Sequence, residues 1–313
     1  MALSIYMLSG EGTFLLFGLF MIGRTEIKLD RIIWWDFVAK IISIVFVMLS
    51  GIGGIIPTLV ESRSFGSDLT LRHSMGFSHY NILGALVVSL ILEWIYLRKQ
   101  NLNMVDFGWI AVILLLMNHF VDSRTSFIVG ILALILTVFS KLTRKILRLK
   151  LMKIISVRAY IEAAFISFFA AAHFLAGNGT GFWDRLNSML SSRISIAQFY
   201  LQNSGVRVLP KTLPQYLNTG LVVLDNTYVY LGVHLGIIAL VLFLLLMTTL
   251  GYRLLTQNNF YGMIVFICFA ILGMMESTLF YSSMNFLVIF LATFDQRRNQ
   301  ATYSERNEGV TIN

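Results

Sequence analysis

A chain of 313 residues that is 57% hydrophobic and only 13% charged is no ordinary soluble domain, where about a quarter of the residues carry charge. Its net charge of +8 comes from Lys and Arg in short runs between apolar stretches, which points to membrane orientation and not to nucleic acid. One cysteine, Cys268, excludes a disulfide framework and a cysteine-based metal site.

Apolar runs of about 16 to 25 residues recur along the chain, without the alternation of barrel strands. The fold class expected is therefore all-α: a polytopic helical membrane bundle of about nine spans, with residues 1–313 forming a single transmembrane domain. The first span lacks the basic leading segment of a cleavable signal. Span one is expected from Leu3 to Ile22 and span two from Trp34 to Leu59, where Lys40 can snorkel or pair with Asp36 one turn away. A polar loop runs from Glu61 to Tyr80. Span three covers Asn81 to Leu97, span four Val105 to Val121, and span five Thr125 to Ser140. The basic run Lys141 to Arg158 precedes span six, which ends near Leu175. Residues 176–225 form a large polar loop inserted between spans six and seven. Span seven is expected from Tyr228 to Leu250, spans eight and nine between Phe260 and Phe294 with Glu276 near their junction, and Asp295 to Asn313 as a polar tail.

Nine spans place the termini on opposite sides. One set of connections holds 17 Lys and Arg and the other holds 7, so the richer side is cytoplasmic. The Glu61–Tyr80 loop, the Asp122–Arg124 tip and the large loop then face outward. Residues of functional interest gather there, since loops on a rigid helical scaffold carry most recognition and chemistry.

Spans four and five are each about 16 residues, or about 24 Å as helix, against a hydrocarbon core of about 30 Å. Their tip, Asp122-Ser123-Arg124, is expected to sink into the bundle, where Asp122 either neutralises Arg124 or serves a site. In the large loop, Trp183 to Leu201 has helical spacing. Leu186, Leu190, Arg193 and Ala197 share one face, so Arg193 needs an anionic partner or an anionic ligand. Arg207, in the extended stretch ending at Pro210, is a weaker candidate. Arg72, His79 and Asn81 supply donors and a proton acceptor just before span three, and the histidine spacing fits no His-Glu-x-x-His zinc motif. Arg72, Arg124 and Arg193, from three separate loops, could converge on one anion, and guanidinium groups suit phosphate oxygens. A lipid pyrophosphate fits such a cluster on a membrane protein. Asp225, at the mouth of span seven, is the best-placed base, with Glu276 a more distant choice. Asp225 or Asn226 could equally cap the helix that follows.

Four ordered pieces of the chain resemble the Wzy-type oligosaccharide repeat-unit polymerases of the O-antigen ligase/polymerase superfamily. They are Arg72-x-x-x-Gly76-Phe77-x-His79-x-Asn81, Asp122-Ser123-Arg124, Leu190-Ser191-Ser192-Arg193, and Asp225-Asn226-x-Tyr228 with Gly232 and Gly236. The resemblance runs from about residue 60 to the C-terminus. It implies a fold like that of the C-type glycosyltransferases and an inverting, metal-independent transfer at the outer face of the bacterial plasma membrane. The substrate it implies is an undecaprenyl-pyrophosphate-linked oligosaccharide, polymerised into capsule, exopolysaccharide or O-antigen. By position, Arg72, Arg124, Arg193 and Asp225 would be catalytic, and His79, Asn81, Asp122, Arg207, Asn226, Tyr228 and Glu276 would bind substrate. No cofactor or metal is implied; the partners are the lipid bilayer, a chain-length regulator and a flippase, with no nucleic acid. Related ligases typically have His-Asn where this chain has Asp225-Asn226, which favours polymerase over ligase. Tyr80 departs from the proline frequent there. An O-antigen ligase and a lipid-linked sugar transporter are the competing readings. A transporter is expected to hold its polar groups at the bilayer midplane, in broken helices and inverted repeats.

Overall fold

The computed structural model describes Met7 and residues 28–65, 68–142, 150–174, 181–211, 224–277, 279–281 and 283–292. Apart from Met7, expected span one lies outside them, as does the polar tail. The described chain is mostly helical. In chain order it comprises α1 (Leu29–Ile52), β1 (Val60–Phe65), β2 (Asp68–His73), α2 (Tyr80–Arg98), α3 (Met104–Val121), α4 (Arg124–Leu142), α5 (Lys150–His173), α6 (Phe182–Met189) and α7 (Arg193–Ser204). After α7 come α8 (Thr227–Tyr230), a π-type turn (Leu231–Leu235), α9 (Ile237–Thr256), α10 (Phe260–Leu272) and α11 (Leu287–Ala292). Among the described residues, four helical stretches are long and apolar enough to cross a membrane: Leu29–Ile52, Tyr80–Asn101, Met104–Val121 and Ile237–Thr256. Arg124–Ser140 and Phe260–Leu272 are apolar but shorter.

The bundle is built outward from α2 and α10, whose side chains are largely buried. α1 packs on α2, α2 on α4, α4 on α10, and α5 on α9, α10 and α7. Tyr160 of α5 ties the middle together, with its ring 4.7 Å from that of Phe266 and 5.8 Å from that of Phe243. The outer helices turn large apolar side chains away from this core: Trp35, Phe46, Trp109, Leu115, Phe165 and Leu245 are all exposed. Such a belt suits hydrocarbon and not water.

α1 and α2 share a buried ionic cluster. Lys40 donates to Asp36 at 2.8 Å, to Ser89 at 3.3 Å and to Glu93, which is fully buried. The pairing of Lys40 with Asp36 was legible from their spacing; Glu93, on another helix, was not. Lys40→Met leaves Glu93 without its cation and should cost about 3 kcal/mol, since breaking a buried pair from one side strands the other charge. Lys40→Met with Glu93→Leu should recover most of that loss. Melting temperatures of the purified detergent-solubilised variants check it, and equal melts for the single and double variants would refute it.

The first outer loop and the seventh span depart from the sequence expectation. The Glu61–Tyr80 loop contains the antiparallel hairpin β1–β2, with Val60 opposite His73 and Glu61 opposite Arg72. Expected span seven is interrupted. α8 gives way to the π-type turn, and Gly236, at φ 89°, breaks the chain before α9 begins. The extended segment 206–211 lies in the break. Arg207 N donates to Gly232 O (3.3 Å), Ile237 N to Arg207 O (2.6 Å) and Lys211 N to His234 O (2.9 Å). Backbone groups released by the broken helix are thus satisfied by protein, which is the condition for irregular backbone in such a bundle.

Candidate functional site

The N-termini of α2, α4 and α8 and the C-termini of α3, α5 and α10 meet at one end of the bundle. A cavity of about 150 Å³ opens there, lined by Arg72, His79, Tyr80, Asn81, Arg124, Thr125, Ser191, Arg193, Ile196 and Asp225. The three arginines expected to converge therefore share one wall system, though they come from a hairpin, a helix–helix tip and the large loop.

Arg72 is delivered by β2. The base of the hairpin is pinned where Leu59 and Ser74 exchange hydrogen bonds, Leu59 N to Ser74 Oγ and Ser74 N to Leu59 O, both at 2.9 Å. The chain then turns at Gly76, at φ 87°, which sits so close to α1 that a Cβ would lie 2.6 Å from Val47 O. Only glycine tolerates both conditions. The Arg72 guanidinium stacks on the Tyr80 ring at 3.2 Å and donates through Nη2 to Asp122 O (3.0 Å) and Asn81 Oδ1 (3.4 Å). Tyr80, the departure from the related pattern, is thus the face on which Arg72 rests.

Asp122 caps α3 in the left-handed conformation, φ 46°, and lies 3.8 Å from both Arg72 Nε and Arg124 Nε. It serves two arginines, not one. α3 is 18 residues long and the apolar part of α4, Arg124–Ser140, is shorter than a membrane-crossing helix. Packing buries the tip, with Ser123 and Thr125 nearly inaccessible. A Cβ on Gly84 of α2 would lie 2.6 Å from Ser123 Oγ, so Ser123 fits against bare backbone.

Arg193 also stands differently from expectation. The single helix read from Trp183 to Leu201 is two, α6 and α7, parted at Ser191 and Ser192, both with positive φ (56° and 64°). Asn187 spans the break, its Oδ1 accepting from Ile194 N and Ser195 N at 3.1 Å each. Arg193 opens α7, where the helix dipole disfavours a cation. Acidic neighbours offset this: Nη2 donates to Glu276 Oε1 (3.1 Å) and Asp225 Oδ2 (3.4 Å), while Nε donates to Met275 O (2.6 Å). None of these bonds uses Nη1. The anionic partner demanded by a buried arginine is thus present twice over.

Asn226, not Asp225, caps α8. Its Oδ1 accepts from Tyr228 N and Val229 N at 3.1 Å each, and its Nδ2 donates to Met274 O. Asp225 is left at the cavity wall. Burial pushes its carboxyl pKa above the usual range, against the pull of Arg193 and a hydrogen bond from Asn81. Glu276 is raised for the same first reason, with Arg193 opposing. His79 moves down, through burial and then the charge of Arg72. Its Nδ1 accepts from Asn81 N at 3.2 Å, so the neutral ring carries its proton on Nε2 and offers a donor.

Five residues expected to bind substrate are outside the lining, the first being Asp122, which bridges Arg72 and Arg124. Tyr228 is fully buried, with its hydroxyl donating to Ala270 O. Asn226 is occupied as a cap. The Arg207 Nε donates to Ser204 O, away from the lining residues. Glu276 stands behind Arg193 and outside the lining. Thr125, Ser191 and Ile196 line the cavity without having been singled out; their adjacency to Arg124 and Arg193 was the available signal.

Fold and site together define a helical protein with membrane-type helices and an arginine-rich, carboxylate-bearing cavity at one end. No protein-family model, curated protein or solved structure matches this chain.

Proposed function

We propose that the chain is a Wzy-type polymerase, extending undecaprenyl-pyrophosphate-linked oligosaccharide repeat units at the outer face of a bacterial plasma membrane. The nine-span topology, the outward orientation and the likeness to C-type glycosyltransferases belong to the same proposal. One observation carries it: Arg72, Arg124 and Arg193 meet Asp225 around one cavity at the end of an apolar bundle.

In this reading the acceptor sugar hydroxyl attacks the anomeric carbon of the growing chain. A new C–O bond forms as the bond from that carbon to the pyrophosphate oxygen breaks. The electron pair departs with undecaprenyl pyrophosphate, and the hydroxyl proton passes to Asp225. Attack opposite the leaving group inverts the anomeric centre. Negative charge grows on the pyrophosphate as it leaves, and each well-aimed donor there lowers the barrier by about 3 kcal/mol. His79 contributes a neutral N–H donor.

Asp225 must be ionised to accept the proton. Its pKa is raised, so turnover should rise with pH and be lost as pH falls through a value above the ordinary aspartate pKa of about 4. Asp225→Asn should lower turnover by about a hundredfold or more and abolish that acid limb. A near-normal rate in this variant would remove Asp225 as the base. Deleting the gene tests the class of function: surface glycan reduced to single repeats indicates a polymerase, whereas loss of all attached glycan indicates a ligase or flippase.

A further inference from the structure

Glu276 sits behind the arginines, and Thr125, on the cavity wall beside Arg124, reaches back to it. Glu276 is 5% exposed and lies outside the cavity lining. Its Oε1 accepts from Arg193 Nη2 at 3.1 Å and from Thr125 Oγ1 at 3.2 Å. Thr125 follows Arg124 directly and is itself buried. One carboxylate oxygen therefore joins the arginine of the large loop to the helix end that bears the second arginine, across 151 residues of chain.

The backbone behind this oxygen is hydrogen-bonded to two other elements. Glu276 O accepts from Thr227 Oγ1 (2.5 Å) and Thr227 N (3.1 Å), while Met275 O takes the Arg193 Nε. Thr227 in turn lies two residues from Asp225. Nothing in α7 itself fixes the Arg193 side chain, since the helix dipole at its N-terminus repels a cation. Its direction is set by Met275 O and Glu276, with Asp225 as the third partner.

We propose that Thr125 and Glu276 are positioning residues that align the Arg193 guanidinium with Arg124, so that the two grip one pyrophosphate. This rests on the functional reading above. It extends that reading to Glu276, which lies outside the lining, and to the Thr125 hydroxyl, which is bonded to Glu276.

The test uses the full chain in detergent or vesicles, with the host's lipid-linked repeat units as substrate and inorganic pyrophosphate as a binding probe. Thr125→Val keeps the shape and removes the hydroxyl. It should lower kcat about tenfold, with KM within about twofold and an unchanged melt. Thr125→Ser should restore kcat. Glu276→Gln should lower kcat further, because the amide is a weaker acceptor for Arg193. Wild-type kcat in Thr125→Val, with Arg193→Ala inactive, would overturn the positioning role alone. Full turnover and full pyrophosphate binding in Arg193→Ala would overturn the functional reading, and the positioning role with it.

Discussion

Arg193→Ala is expected to abolish glycan chain extension while single repeat units are still attached. Two losses add. The leaving pyrophosphate forfeits a buried donor, at about 3 kcal/mol or more than a hundredfold in rate. Asp225 and Glu276, which now share one guanidinium, would face each other without a cation. Stranding a buried carboxylate costs about 3 kcal/mol, so the melt should fall as well. Arg193→Lys separates the two effects. An ammonium keeps the charge, but it lacks the planar fork that reaches Met275 O, Asp225 and Glu276 together. This variant should recover most of the stability and little of the rate. Arg124→Ala should stop extension too, with a smaller stability penalty, because its side chain is 26% exposed. A normal ladder of long glycan from both alanine variants would end the arginine reading.

Gly236→Ala is expected to be, with Gly76→Ala, among the most damaging single methyl additions at the described glycines. Its Cβ would lie 2.6 Å from Val208 O and 2.9 Å from Val208 C, and φ is 89°. The obstacle is backbone, so no side-chain rotation relieves it. Segment 206–211 would have to leave the helix break, releasing the bonds at Gly232, His234 and Ile237. A loss of at least about 3 kcal/mol should follow, read as a lower melt and faster proteolysis near residues 205–211. Turnover should drop too, because α8 begins two residues after Asp225. Gly54→Ala is the internal control. Gly54 also has positive φ, 72°, but nothing lies within 4 Å of its Cβ position. It should cost only about 1 kcal/mol of backbone strain. Equal damage at the two sites would show that the close approach at Gly236 is unimportant.

The candidate site was partly legible because buried cations among apolar runs are costly and few. Arg72, Arg124 and Arg193 stood out by that scarcity, and they line one cavity. Asn226 and Tyr228 stood out through the resemblance and are committed to structure instead. A polar residue beside a helix start can cap, pack or bind, and spacing alone does not choose among these. Glu276 was visible as an acid near a junction, but its role behind Arg193 depends on a contact 83 residues away.

Composition and apolar run length determined by themselves that this chain is a helical bundle of membrane type, because the hydrophobic effect acts on residue content within a few turns. The starts of α2, α3 and α4 were legible to within a residue for the same local reason. Tertiary structure alone decided the hairpin that carries Arg72, the break between α6 and α7, and the broken helix at Gly236. In each, backbone groups bond outside a regular helix, to the adjacent strand, to the Asn187 side chain or to segment 206–211, and such pairings leave no periodic trace in the residues that make them.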